Sequence, residues 1–206
     1  MRIGFGWDSH EFKKGVPLRI GGVALPHDRG LAGHSDGDVL LHALTDALLG
    51  AVAAGDIGGY FPPSDPKWKN ADSAIFVAEA LRQVKKSGFG VVNVDSTLIL
   101  SAPKIGPHAR KIQARVAELL GISRDAVGIK AKTPEGMGTE KAVIAHVAVL
   151  LEKKGRQRRV RAAEDVADAE PHVIDEVVEN VLRSAHEPPR TRAKSPSGRV
   201  RAKSRH

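Results

Sequence analysis

The chain has 206 residues, 32 Lys and Arg against 24 Asp and Glu, and no cysteine, so it is long enough for one domain with a real core and excludes disulfides and thiolate metal sites. Metal ligands would come from His, Asp and Glu, and no run approaches the ~20 apolar residues of a membrane span, which predicts a soluble, cytoplasmic protein. The formal net charge of +8 looks like a nucleic-acid signal until it is located: residues 1–152 hold 18 basic against 16 acidic side chains, and residues 153–206 hold 14 against 8. The chain therefore divides into a nearly neutral body, 1–152, and a basic C-terminal extension, 153–206.

The body opens with a strand, because Ile3, Phe5 and Trp7 alternate with small or polar residues. The pattern then turns polar at Asp8, Ser9 and His10. Residues two apart on an extended chain point the same way, so Asp8 and His10 project together, either from a surface turn or as a pair of ligands. Val16 to Ile20 and Val23 to Leu25 read as a hairpin around Gly21-Gly22.

The stretch from His34 to Gly58 organises the rest. Ser35 and Asp38 fit a capping box that would begin a helix there, and Val39, Leu40, Leu44, Ala47 and Leu48 recur at helical spacing. Asp38, His42 and Asp46 stand four apart and share one polar face, a candidate for metal or phosphate. A lone histidine on a helix is more often solvated or hydrogen-bonded in place, so His42 needs partners from elsewhere. Asp56 to Asp65 is rich in turn formers and has the length of a binding loop.

A second helix is predicted from Asp72 or Ser73 to Lys86, burying Ile75, Phe76, Ala80, Leu81 and Val84. A strand follows over Val92 to Leu100, ending at Ser101-Ala102-Pro103-Lys104, and a third helix from about Pro107 buries Ile112, Val116, Leu119 and Leu120. Strands at Val127 to Lys132 and Ala142 to Leu151 flank a loop, Thr133 to Gly138, that bears a hydroxyl and a carboxylate. Without regular strand and helix alternation, the fold class is α+β, with helices layered on a mostly four-stranded mixed sheet.

Taken in order, Gly4-x-Gly6-x-Asp8-x-His10, His34-Ser35-Asp36-Gly37-Asp38 with His42, Thr45 to Gly50, Gly55-Asp56-Ile57-Gly58, Phe61-Pro62 and Asp72-Ser73 form a set. It closely resembles the 2-C-methyl-D-erythritol 2,4-cyclodiphosphate synthases of the non-mevalonate route to isoprenoids, over about residues 1–152. The resemblance implies a phosphorus-oxygen lyase that cyclises a cytidine diphosphate ester of methylerythritol 2-phosphate with release of CMP, and a homotrimer with active sites between subunits. It implies a divalent metal, usually zinc, on Asp8, His10 and His42, and N and O donors do suit tetrahedral zinc with a fourth position open. A second ion, Mg²⁺ or Mn²⁺, would bridge the diphosphate with help from Glu135. His34 and Thr133 match catalytic positions that stabilise the transition state. The implied substrate contacts are Asp8, Ser9, His10, His34 and Ser35; Asp56, Ile57 and Gly58; Phe61, Pro62, Pro63, Ser64 and Asp65; Ala102, Pro103 and Lys104; and Lys132, Thr133, Pro134 and Glu135. Asp46, one turn past His42, reads either as an outer acceptor for the imidazole or as a solvated or capping aspartate.

Two places depart from the family pattern. Family members carry threonines before the glutamate and a Gly-Phe-x-Gly-Arg-Gly-Glu-Gly stretch after it; here Lys132 and Pro134 intervene, and only Gly136-Met137-Gly138-Thr139-Glu140-Lys141 follows. The departure falls at the nucleotide end of the pocket, with Lys132 or Lys141 as replacement cations, whereas the metal triad is untouched. The second departure is the extension. Val173, Ile174, Val177, Val178, Val181 and Leu182 keep helical spacing, predicting a helix over about 171–185, and from Glu187 onward the apolar content is too low to fold. The extension has no aromatic residue, which argues against a stacking platform for single-stranded nucleic acid and leaves only phosphate-backbone or anionic-membrane attraction beside a solubilising role. Two other readings stand beside the synthase. One is a catalytically weakened member that binds nucleotides or RNA; the other is a metal-dependent phosphohydrolase, which would need a base for water that is not evident.

Overall fold

In the computed structural model, which describes residues 1–154, strand β1 runs from Arg2 to Lys14, well beyond the alternation of its first residues. It pairs antiparallel with β7 (Ala142–Lys153), from Arg2 opposite Leu151 to Glu11 opposite Ala142. The other edge of β7 pairs antiparallel with β5 (Phe89–Ile99), and β5 pairs in parallel with β6 (Val127–Lys132). At the far end of β1, a short strand β4 (Arg29–Leu31) joins with Phe12 opposite Leu31. The sheet is mixed, in the order β4-β1-β7-β5-β6. The expected four strands are thus corrected to five, because three residues leave no period-two pattern to read. Strands β2 (Leu18–Ile20) and β3 (Val23–Leu25) make the expected hairpin around Gly21-Gly22.

Helices α1 (Val39–Ala51), α3 (Ala74–Lys86) and α4 (Ala109–Leu120) cover the sheet, and a single turn, α2 (Ile57–Tyr60), follows α1. Helix α1 packs on β1 and β7 on one side and on α3 on the other. Its residues are therefore buried almost all round, and only His42, Asp46 and Gly50 keep an open face. The close contact with β1 rests on Gly4 and Gly6, where a Cβ would collide with the carbonyl oxygens of Ala47 and Ala43. Ile3, Phe5 and Trp7 consequently point away from the helices and are 76, 62 and 57 % exposed. On that outer face the rings of Phe5 and Trp7 stack near His146, with centroids 5.9 and 6.5 Å away. So large an apolar patch on a sheet face marks a contact surface.

The start of α1 differs from expectation. Its cap is Asp38, not Ser35: the fully buried carboxylate accepts from the Leu41 N–H at 3.1 Å and also from the N–H groups of Gly21 and Gly22, at 2.8 and 2.6 Å. Asp38 thereby ties the hairpin to the helix, and it is not part of the polar face expected with His42 and Asp46. Helix α3 begins where the sequence places it, with Asp72 accepting the Ala74 N–H, and α4 stops on Gly121, whose φ of 63° gives a left-handed end. The predicted helix at 171–185 and the segment from Glu187 lie outside the described residues.

Candidate metal centre and substrate clefts

Asp8 and His10 continue the glycine face of β1, which turns them toward His42 on the open side of α1. His10 Nε2 lies 2.8 Å from Asp8 Oδ2, His42 Nδ1 lies 3.0 Å from the same oxygen, and the two nitrogens are 3.0 Å apart. Among the described residues these three form the group of ligand-type side chains able to hold a metal. Two ligands of a tetrahedral zinc with bonds of about 2.0–2.1 Å are roughly 3.3 Å apart, so the triangle fits the ion with an opening of only a few tenths of an ångström.

Both imidazoles are presented by the nitrogen that the metal would not use. Ser73 donates its hydroxyl proton to Asp36 and lies 3.0 Å from His42 Nε2. A hydroxyl that has given away its proton can only accept, so His42 Nε2 carries the hydrogen and Nδ1 turns its lone pair into the triangle. Ser35 Oγ, at 2.9 Å, offers a second acceptor. His10 is held by the backbone of Ala32, which leaves Nε2 facing Asp8. Burial is the largest single influence and works against the charge of both Asp8 and His10, but the hydrogen bonds and opposite charges around each together outweigh it. The Asp8 carboxyl, which accepts from His10 and has His42 beside it, is held well below the usual carboxylate range, and the His10 imidazole is raised above its ordinary value.

The triangle opens into a cleft of about 300 Å³ whose lining includes His34, Ser35, Asp46, Ile57, Gly58, Phe61 and Pro63. Asp46 does not bond the imidazole. Its Oδ1 accepts the Ile57 N–H at 2.7 Å and so fixes the loop at the start of α2, while burial pushes its carboxyl up against that bond. Asp56 caps α2 by accepting from Gly59, and Asp65 caps the turn that follows. Pro62 and Ser64 complete that loop without lining the cleft, and Ser9 is exposed, with its N–H on Asp8. The sequence did not single out Trp68 or the ring of Phe76 as site residues. Phe76 lies 4.4 Å from Phe61, 6.1 Å from Trp68 and 5.8 Å from His42, centroid to centroid, and gives the cleft an aromatic wall. Phe76 reads in sequence as helix core, which it also is, and Trp68 belongs to no periodic pattern.

The remaining candidates gather elsewhere. Pro103, Lys104, Lys132, Thr133 and Glu135 line a second cleft of about 520 Å³ that shares no residue with the first. Ala102 precedes it through a cis peptide bond to Pro103, and Pro134, between Thr133 and Glu135, is buried. Thr133 donates its hydroxyl to the Glu135 carboxylate. In sheet register, Asp8 lies opposite Ala145, which lies opposite Leu98, which lies opposite Ala131. Three strand spacings amount to about 14 Å. Within one chain, then, His34 and Thr133 are not brought together.

The YgbB family profile matches residues 1–152. The chain belongs to this family. A 2-C-methyl-D-erythritol 2,4-cyclodiphosphate synthase of Koribacter versatilis is 65 % identical over 154 residues, 75 % of this chain and 99 % of the relative. A solved 2-C-methyl-D-erythritol 2,4-cyclodiphosphate synthase aligns with a TM-score of 0.70 at 43 % identity, covering 73 % of this chain and 100 % of the other. A second, described as the bound form with CDP, gives 0.70 at 41 % identity with the same coverage. The family activity is that of a phosphorus-oxygen lyase of the non-mevalonate isoprenoid route: it closes 4-diphosphocytidyl-2-C-methyl-D-erythritol 2-phosphate into 2-C-methyl-D-erythritol 2,4-cyclodiphosphate with release of CMP. Among the described residues no helix is long and apolar enough to cross a membrane.

Proposed function

We propose that this chain performs the family reaction with zinc on Asp8, His10 and His42, as a subunit of a homotrimer in which each working cleft joins the metal end of one chain to the nucleotide end of the next. The observation that carries this reading is the triangle of ligand atoms with 2.8 to 3.0 Å edges, opening beside the Asp56 to Asp65 loop. When bound, the metal supplies a positive charge that polarises and orients the β-phosphate.

The chain's own residues supply the positioning. Asp56 to Gly58 and Phe61 to Asp65 hold the methylerythritol end against the aromatic wall, with Asp46 keeping that loop in place. His34 and Ser35 stand at the phosphate end of the same cleft, and Ser9, exposed beside Asp8, would reach the substrate from outside its lining. On the other side, Ala102 to Lys104 and Lys132 to Glu135 receive the cytidine diphosphate: Lys104 and Lys132 bring positive charge, Glu135 would help to hold a Mg²⁺ or Mn²⁺ that supplies more, and Thr133 would turn its hydroxyl from Glu135 to the phosphate. Few protein ligands suffice for such an ion, since it keeps waters and phosphate oxygens.

The nucleophile is the substrate's own 2-phosphate, whose second pKa near 6 leaves it charged at neutral pH. Its oxygen bonds to the β-phosphorus as the bond to the bridging oxygen of the α-phosphate breaks, and CMP leaves with that oxygen. No proton has to be taken from carbon or water. The work is to bring two anions together, where positioning and charge neutralisation dominate.

The trimer is supported by the separation of the two clefts and by the outward Ile3, Phe5 and Trp7. The catalytic unit in this reading is residues 1–152, with 153–206 as an appendage, and the cytoplasmic location expected from the sequence is checked by cell fractionation. The deciding experiment incubates the purified protein with substrate and metal under phosphorus NMR. Cyclic diphosphate and CMP are expected; methylerythritol bisphosphate with CMP, the products of hydrolysis, would replace the cyclase with a phosphohydrolase.

A further inference from the structure

The described chain leaves its last strand beside an apolar groove. Lys153 lies opposite Phe89, and the N–H of Lys154 is held by the Gly88 carbonyl at 2.9 Å. Next to that exit, the C-terminal ends of α3 and α4 and the start of β5 enclose a groove of about 170 Å³ lined by Leu81, Val84, Phe89, Val91, Leu120 and Ile122, with Lys85 and Lys154 on its rim. Phe89, Val91 and Ile122 are only partly buried. The groove shares no residue with either substrate cleft.

We propose that residues 171–185 of the same chain form an amphipathic helix that docks in this groove. On a helix, Val173, Ile174, Val177, Val178, Val181 and Leu182 occupy one side, with Ile174 and Val181 along its middle, and Asp175, Glu176 and Glu179 fall on the other. Pro171 suits its first turn. A helix of this length is marginal alone in water and takes most of its stability from an apolar surface to pack on.

Reach and charge select the occupant. The connecting residues 155–170, 16 in all, span roughly 20–25 Å as a flexible chain and about 50 Å when extended. A groove at the point of departure lies well inside that range, and so short a tether presents the helix at an effective concentration in the millimolar range. The segment carries three acidic side chains against Arg183, whereas the margin of the groove carries Lys85 and Lys154. The acidic flank of the apolar stripe, Asp175 and Glu179, thus meets cations of opposite sign. The inference stands apart from the catalytic reading, because neither cleft takes part in it.

Hydrogen exchange read by mass spectrometry on the full chain tests it. Two changes, Ile174→Asp with Val181→Asp, lie outside the body and cannot unfold it. In the unaltered chain, peptides covering 171–185 should exchange at least about tenfold more slowly than those covering 190–206, and groove peptides around Leu81 to Val91 and Leu120 to Ile122 should be protected in parallel. Both protections should vanish in the doubly changed chain, and the tail protection should vanish with Ile122→Asp on the groove side, provided that variant melts cooperatively. Exchange of 171–185 at the unprotected rate would overturn the proposal. So would protected tail peptides with groove peptides indifferent to the double change, which means docking elsewhere, or protection that disappears on dilution, which means a second molecule.

Discussion

Ser73 Oγ accepts from Nε2 of His42 at 3.0 Å because its own proton is spent on Asp36. That one contact sets which nitrogen of His42 faces Asp8 and His10. Groups that orient a ligating histidine are worth about 10–100-fold in metal affinity when removed. Ser73→Ala should therefore weaken zinc retention against a competing chelator by roughly that factor while the fold persists, and adding Ser35→Ala should remove the remaining acceptor. If the double change left zinc affinity as it was, the tautomer of His42 would have to be set by something other than the two serines.

The same cluster gives a dependence on pH whose sign differs with and without metal. In the metal-free protein His10 is raised above its ordinary 6.5, so its contribution to stability is fully present below that value and is lost as pH rises through the folded-state pKa. Asp8 is depressed below 3.8, so its contribution is present above that value and is lost only as the solution becomes strongly acidic. Metal needs both histidines unprotonated, so its stabilisation grows with pH. The rise in melting temperature on adding zinc to the chelator-treated protein should accordingly be larger at pH 8 than at pH 6. Equal rises at both values would show that the histidines do not titrate with the metal.

Asp38 is expected to matter for stability rather than chemistry. Replacing it by Ala removes the acceptor of three backbone N–H groups at a fully buried position. An unsatisfied buried donor costs about 1–3 kcal/mol and a lost cap about 1. Asp38→Ala should thus cost about 3 kcal/mol or more in urea unfolding, and Asp38→Asn less, since its amide oxygen still accepts. A change under about 1 kcal/mol would mean that water has taken the carboxylate's place.

Much of this is legible in the sequence alone. The spacing of Val39, Leu40, Leu44, Ala47 and Leu48 names a buried helix, and the ordered polar motifs name its partners, because both signals are local. Orientation was less accessible. Period two in β1 reveals that Ile3, Phe5 and Trp7 share a face, but not that the glycines between them hold the helix; that follows only from the meeting of Gly4 and Gly6 with Ala47 and Ala43. Likewise, spacing of four puts Asp38 and Asp46 on one face with His42, yet their partners lie in the hairpin and at Ile57, far off in sequence. Ser73 reads as a helix start and is one, and its second task depends on His42 and Asp36 converging from two other segments.

Subunit assembly would join the two clefts. If each working site takes its metal from one subunit and its nucleotide contacts from the next, the outer face of β1 must be covered, because it supplies the only large apolar patch found on the described sheet. Phe5→Glu with Trp7→Glu should then yield a folded but inactive smaller species by light scattering. Mixing is the sharper measurement. His42→Ala subunits retain the nucleotide half, and Lys104→Ala subunits retain the metal half, so each is inactive alone. In trimers reassembled at random from equal amounts, a cleft is complete when a metal-competent chain precedes a nucleotide-competent one, which happens for about one cleft in four. Activity should therefore return to roughly a quarter of the unaltered level. No recovery despite subunit exchange verified by mass spectrometry would place both halves of the site in a single chain.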